Sequence, residues 1–184
     1  METDFEVFIL TDANAAIEMP GYFTELSEES PFRNSRRFYG EPNRYHQVAI
    51  YSKTPLERLK ATEPVNGLLC KTLIGDHPLV FYGNVITIKD RWSHSSMKTF
   101  SDRLEEQLLA IESLSRKRTL IGGDFNLRVG WHSGAHRAIK ERLAAAGWLW
   151  PTEERNDTVQ QVLHSPDLQV HTNINFDVQR TKCG

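Results

Sequence analysis

The sequence predicts an α/β fold of the α+β kind, and three observations carry that prediction. Residues 46–51, 67–73 and 79–88 are short apolar runs, and Gly75-Asp76-His77-Pro78 joins the last two with hairpin chemistry. Phe100, Leu104, Leu108, Ile111 and Leu114 are spaced by four, four, three and three, one apolar stripe on a helix over residues 99–115. That helix leads through Arg116-Lys117-Arg118 into the apolar run before Asp124. A helix that returns the chain to a strand is the connection expected between parallel neighbours.

Taken in order, the first element is a strand over residues 6–11, ending where Asp12 and Asn14 reach the sheet's edge. Pro20-Gly21 marks a turn, and residues 24–45, rich in Ser, Glu and Arg, read as a long surface connection. Pro55 stops the strand that begins at His46. The middle section is therefore expected to be antiparallel and the ends not. Thr99 and Asp102 have capping-box spacing at the start of the long helix. A second helix over residues 135–146 buries Ile139, Leu143 and Ala146, with Gly147 as its C-cap. Residues 158–163 form a last strand, and 168–171 a short apolar run.

With 184 residues, 39% hydrophobic and 25% charged, the chain fits one globular domain over residues 1–184, with no repeat or linker. No run of eighteen apolar residues occurs, and no basic start precedes an apolar segment, so neither a membrane span nor a secretory signal is expected. Cys70 and Cys183 make no ligand or disulfide pattern, and a reducing, cytoplasmic setting follows as the expectation. A net charge of −2 argues against a nucleic-acid binder driven by bulk charge. It leaves open an enzyme on phosphate esters, in which acidic metal ligands offset local basic clusters. Arg33, Arg36, Arg37 and Arg44, interleaved with Phe38, Tyr39 and Tyr45, form such a cluster or an ordinary solvated loop.

The chemistry concentrates in Leu120-Ile121-Gly122-Gly123-Asp124-Phe125-Asn126-Leu127. An apolar strand meets two glycines and then releases a carboxylate and a carboxamide. If the backbone stays extended, the side chains of Asp124 and Asn126 point to one side and suit a hard cation, a water or a phosphoryl oxygen. A plain strand-to-turn junction uses the same residue types. His132 and His136 have zinc-like spacing, but Ser133 and Gly134 argue against a continuous helix there and no third ligand is near. His94 reads as a loop residue, and the Asn156-Asp157-Thr158 sequon has no secretory context. Trp92, Trp131, Trp148 and Trp150 are packing residues or base-stacking ones, and Trp131 lies nearest the Asp124 strand in sequence.

The order of the pieces carries more weight than any one of them. Leu10-Thr11-Asp12, then Ser52-Lys53-Thr54-Pro55-Leu56, Gly83-Asn84-Val85, the long helix and Gly122-Gly123-Asp124-Phe125-Asn126 resemble the endonuclease/exonuclease/phosphatase superfamily over most of the chain. The resemblance implies a four-layer α/β/β/α sandwich of the DNase I-like type and a metal-dependent phosphoesterase site using Mg²⁺ or Mn²⁺. Carried over residue by residue, Asp12 binds the cation, Asp124 orients the attacking water and Asn126 holds a phosphoryl oxygen. Asn84, Trp131 and Arg128 are the expected substrate contacts. The implied substrate is a nucleic acid or a phosphorylated small molecule or lipid.

Four departures temper that expectation. Only five residues precede the first strand, where relatives have an Asn-bearing strand. The family's closing Ser-Asp-His does not occur before Gly184. Val159-Gln160-Gln161 stands where relatives often carry an Asp-bearing triplet, and Asp12 replaces a Glu. The expectation is a domain without its first and last strands, whose exposed edges leave three outcomes open: instability alone, a homodimer paired through those edges, or another packing in their place. Function is expected to be nuclease-like phosphodiester hydrolysis, with a degenerate, non-catalytic binding module as the alternative.

Overall fold

The computed structural model describes residues 5–29, 45–86, 100–126, 133–151 and 160–169. They form eight strands and two helices in two sheets. The first sheet has the order β1 (Val7–Asn14), β3 (Tyr45–Ser52), β2 (Phe23–Leu26). The second runs β4 (Glu57–Leu59), β5 (Gly67–Ile74), β6 (His77–Val85), β7 (Thr119–Asp124), β8 (Gln160–His164). The helices are α1 (Phe100–Ser113) and α2 (Ser133–Ala145).

Val48, Ile50, Leu68, Cys70 and Phe81 fill the gap between the sheets, and burial there pushes the Cys70 thiol up to about 12. The glycine at 83 makes that contact close: a Cβ there would stand 2.3 Å from Val48 Cγ1, so any side chain would wedge the sheets apart. On the other face of the second sheet, Ile121 and Leu163 meet Leu108 and Ile111 of α1 and Ile139 and Leu143 of α2. Burying each such side chain is worth about 1.5–3 kcal/mol. Arg142 bridges the two helices, held between Glu105 and Glu112, which keep its guanidinium protonated beyond the ordinary range. Arg116 closes the end of α1 by donating to the carbonyls of Glu112, Leu114 and Ala146 while stacking 4.3 Å over Trp148. Trp148 and Trp150 are thus core and rim residues. Among the described residues the layers are β/β/α, and the outer face of the first sheet is covered by Met19 and Tyr22. No helix among them is long and apolar enough to cross a membrane.

The turn Gly75-Asp76, the hairpin β5–β6 and the parallel return from α1 into β7 stand as the sequence indicates. Other expectations change. The end strands are antiparallel too, and β6 with β7 is the parallel pair among the described strands. The expected connection over 24–45 begins instead as β2, because Thr24, Glu25 and Leu26 pair with β3. Its polar composition is that of an edge strand, wetted on one side. β4, three residues long, is too short to leave a periodic signal. Ser133 and Gly134 lie inside α2, which starts at the N-terminal serine rather than after the glycine. Arg33, Arg36, Arg37, Phe38, Tyr39, Arg44, Trp92, His94, Thr99, Arg128, Trp131, His132, the 156–158 sequon and Cys183 lie outside the described residues.

Candidate active site

The two sheets share a direction, and this fixes which residues meet. At one end Ser52 of β3 lies 3.4 Å from Thr72 of β5, and Thr54 Oγ1 lies 2.7 Å from Thr72 Oγ1. The Ser52-Lys53-Thr54-Pro55-Leu56 stretch therefore staples the sheets where β6 begins. At the other end the Glu28 backbone N–H donates to the carbonyl of Pro64, just ahead of β5. It follows that β1, β6 and β7 all finish at this second end and carry Asp12, Val85 and Asp124 toward it.

Asp124 closes β7, and the strand is not extended beyond it. Gly123 has φ +151, and Asn126 has φ +51, the left-handed region in which Asn is better tolerated than most residues. Asp124 Oδ1 accepts the Asn126 backbone N–H at 2.9 Å, and Asn126 Nδ2 donates to the Ile86 carbonyl at 2.8 Å. The Asp124 carboxylate thus meets the Asn126 backbone through a side-chain-to-backbone turn, not the two-residue period of a strand, and the Asn126 side chain is tied to Ile86. A Cβ on Gly123 would lie 1.8 Å from the Asn84 carbonyl oxygen, so the backbone can pass only as glycine.

The frame around them is fully tied. Ile86 N–H donates to the Asp124 carbonyl, Val85 N–H to the Asn66 carbonyl, and Gln107 Nε2 to the Val85 carbonyl. Phe125, wholly buried, packs against Trp150 at 5.6 Å.

Side-chain alternation separates Asp124 from Asn84. In the register, Val85 stands beside Asp124 and Asn84 beside Gly123. Val85 belongs to the cluster between the sheets, whereas Tyr82 and Ile86, two residues either side of Asn84, face the helices. Asn84 therefore points to the helix side, with no exposed surface and, among the described residues, no hydrogen-bond partner for either amide atom. The Tyr82 hydroxyl on the same face likewise has no partner among the described residues, and burial with the nearby Glu63 carboxylate raises its pKa. Gln161 occupies that face from the opposite neighbour of Gly123 and accepts the Trp150 indole N–H at 2.9 Å.

Asp12 is exposed on β1, an edge strand paired only with β3 among the described residues. Its φ of +53 breaks the alternation of the strand: Ala13 joins Phe8 and Leu10 in the outer cluster, where an unbroken strand would put residue 12. His46, opposite Ala13, escaped the sequence reading, although it is a polar residue at an inward position of the His46-Gln47-Val48-Ala49-Ile50 alternation.

The described residues contain no group of three or more His, Cys, Asp or Glu side chains suited to a metal. The oxygen donors that remain, carboxylates and carboxamides, fit a hard cation that takes one or two carboxylates and leaves its other positions to water and substrate oxygens, as Mg²⁺ does.

The family model for the Endonuclease/Exonuclease/phosphatase family matches residues 2–182. A comparison with curated proteins gives no match. Among solved structures, the chain is similar to the endonuclease domain of TRAS1, a telomere-specific non-LTR retrotransposon, with TM-score 0.62, 11% identity, and coverage of 88% of this chain and 73% of that one. It is also similar to the 3' phosphatase NExo from Neisseria bound to product DNA hairpin, with TM-score 0.56, 12% identity and coverage of 88% and 76%. The human Nocturnin catalytic domain with bound sulfate gives TM-score 0.53, 9% identity and coverage of 88% and 69%. At these identities the likeness is one of fold, and it agrees with the DNase I-like sandwich. With a family model spanning nearly its whole length and with this fold, the chain belongs to the endonuclease/exonuclease/phosphatase family.

Proposed function

We propose that the protein is a Mg²⁺- or Mn²⁺-dependent phosphoesterase that hydrolyses a phosphodiester, with nucleic acid as its substrate class. One observation carries the reading: Asp124 and Asn126 are locked together at the end of a β-strand by a backbone that admits only glycine at 123. Two of the similar folds, an endonuclease domain and a phosphatase holding a DNA hairpin, point to the same substrate class.

Asp12 would hold the cation, which when bound neutralises charge developing on the phosphoryl group. Asp124 accepts a hydrogen bond from the attacking water and aligns it. Asn126, with Nδ2 anchored on the Ile86 carbonyl, presents a fixed amide to a phosphoryl oxygen. Arg128 and Trp131 follow this turn directly in sequence and would contact the substrate beside it. Asn84 supports the site from behind β7 rather than from its open face.

The test is hydrolysis of DNA, RNA and small phosphate esters in Mg²⁺ or Mn²⁺. Activity should appear with the cation, vanish with chelator and fall steeply in Asp124→Asn; activity indifferent to that change rejects the assignment. A second reading, a non-catalytic member that binds nucleic acid, rests on Gln161, which stands in the region of the missing Asp triplet and is used to hold Trp150. Nucleic-acid binding without turnover in saturating Mg²⁺ would favour it.

A further inference from the structure

We propose that His46 is a further positioning residue, whose Nε2 holds a hydrogen-bond donor in the gap between the sheets at the Asp124 end; this rests on the phosphoesterase reading. Ser52, Ile50 and Val48 of β3 all face the second sheet, as the Ser52 contact with Thr72 and the inter-sheet cluster show. No residue of β3 has a positive φ, so alternation carries His46 to the same face. Asp124 shares its row with Val85 and faces the same gap from the other sheet. His46 is 8% exposed, one step above Val48, toward the end where β1, β6 and β7 finish.

Its ring orientation is set. His46 Nδ1 lies 2.7 Å from the Ser27 carbonyl oxygen, which can only accept, so Nδ1 carries the hydrogen. In the neutral ring this leaves Nε2 as a lone-pair acceptor, without a partner among the described residues. A phosphoryl oxygen is itself an acceptor and does not suit that nitrogen. A water or a sugar hydroxyl does, because each brings an O–H. Magnesium, which prefers oxygen, is also a poor match for a lone nitrogen.

Two substitutions separate this role from simple bracing. His46→Asn keeps an N–H near the Nδ1 position for Ser27 and removes the remote acceptor, whereas His46→Gln puts an acceptor oxygen near the Nε2 position. His46→Asn should retain the wild-type melting temperature and lose about tenfold or more in kcat, and His46→Gln should recover part of it. Matched ribo- and deoxyribo-oligonucleotides identify the donor: equal losses on both assign a water, and a loss confined to the ribose substrate assigns the 2'-hydroxyl. Wild-type rates for folded His46→Asn on both substrates overturn the proposal. Long-range ¹H–¹⁵N spectra of the wild type, recorded above the ordinary histidine pKa of about 6.5, read the tautomer independently of turnover. An Nε2–H ring refutes the His46 role whatever the activity, while hydrolysis indifferent to Asp124→Asn refutes the phosphoesterase reading alone.

Discussion

The two ends of β7 use the same parts in different surroundings. Where the strand begins, Arg118 has φ +51 and its N–H is held at 3.0 Å by both oxygens of Asp167. Where it ends, Asn126 has the same φ and its N–H is held at 2.9 Å by Asp124. Each end pairs a left-handed residue with a carboxylate. At the first end every neighbour closes the arrangement: Ser165 Oγ donates to Asp167 and accepts the Thr119 N–H, and Arg118 Nε donates to the Pro78 carbonyl. At the second, glycines replace side chains at 122 and 123, and Asn84 lies beneath with its amide unpartnered among the described residues. An Asp beside a strained turn is therefore not in itself a site. Stripped flanking positions and unspent polar groups distinguish the end proposed as the site from the clasp.

Exchanging the two carboxylates should show the contrast at its largest. Asp124→Ala is expected to lower kcat by about 10²–10³-fold, the scale for losing one preorganised polar group, with little change in melting temperature. Asp167→Ala should do the reverse. Steady-state rates and thermal melts on both variants decide it, and equal rates would erase the distinction between the ends. Next in size are the adjacent glycines. Gly123→Ala forces a Cβ into the Asn84 backbone at a positive φ and should cost about 3 kcal/mol or more in urea unfolding. Among the described residues Gly122→Ala meets Ile9 Cδ1 at 3.2 Å, a side-chain tip that yields, and should cost about 1 kcal/mol or less. Similar losses at both would mean that the site end is no more tightly built than the rest of the strand.

Sequence alone made the longer strands, the α1 stripe and the Asp124 turn legible, because each is a local pattern in residue type, whereas the short β2 and β4 left no such pattern. What it could not show was register. The pairing that puts Asn84 beside Gly123, and so behind rather than beside Asp124, depends on how β6 meets β7 across a whole helical crossover. His46 was hidden for the same reason: its inward direction follows from β3 facing the second sheet, and its tautomer from Ser27, nineteen residues away. Asp12 was visible as a residue, but the break in alternation that turns it was not, since Thr11-Asp12-Ala13 carries neither glycine nor proline. The Ser52 to Leu56 stretch shows the opposite limit. It marks the family in sequence, yet its hydroxyls tie the sheets together at the end away from Asp124.

The smallest effect tests the clasp itself. Hydrogen bonds from Ser165 Oγ and then from the Arg118 N–H hold the Asp167 carboxyl below its ordinary range in the folded chain. A carboxyl depressed by folding adds stability above its unfolded pKa, about 3.9, and gives it up as pH falls through the folded value. The melting temperature of the wild type should therefore exceed that of Asp167→Ala at pH 7, and the gap should begin to narrow below about pH 4. Because the carboxylate is solvent-exposed, added salt should shrink the gap at neutral pH as well. A gap that persists unchanged in acid would show that the bond to Arg118 stabilises the turn by geometry alone. The two ends of β7 would then differ in what surrounds their carboxylates and not in how those carboxylates are charged.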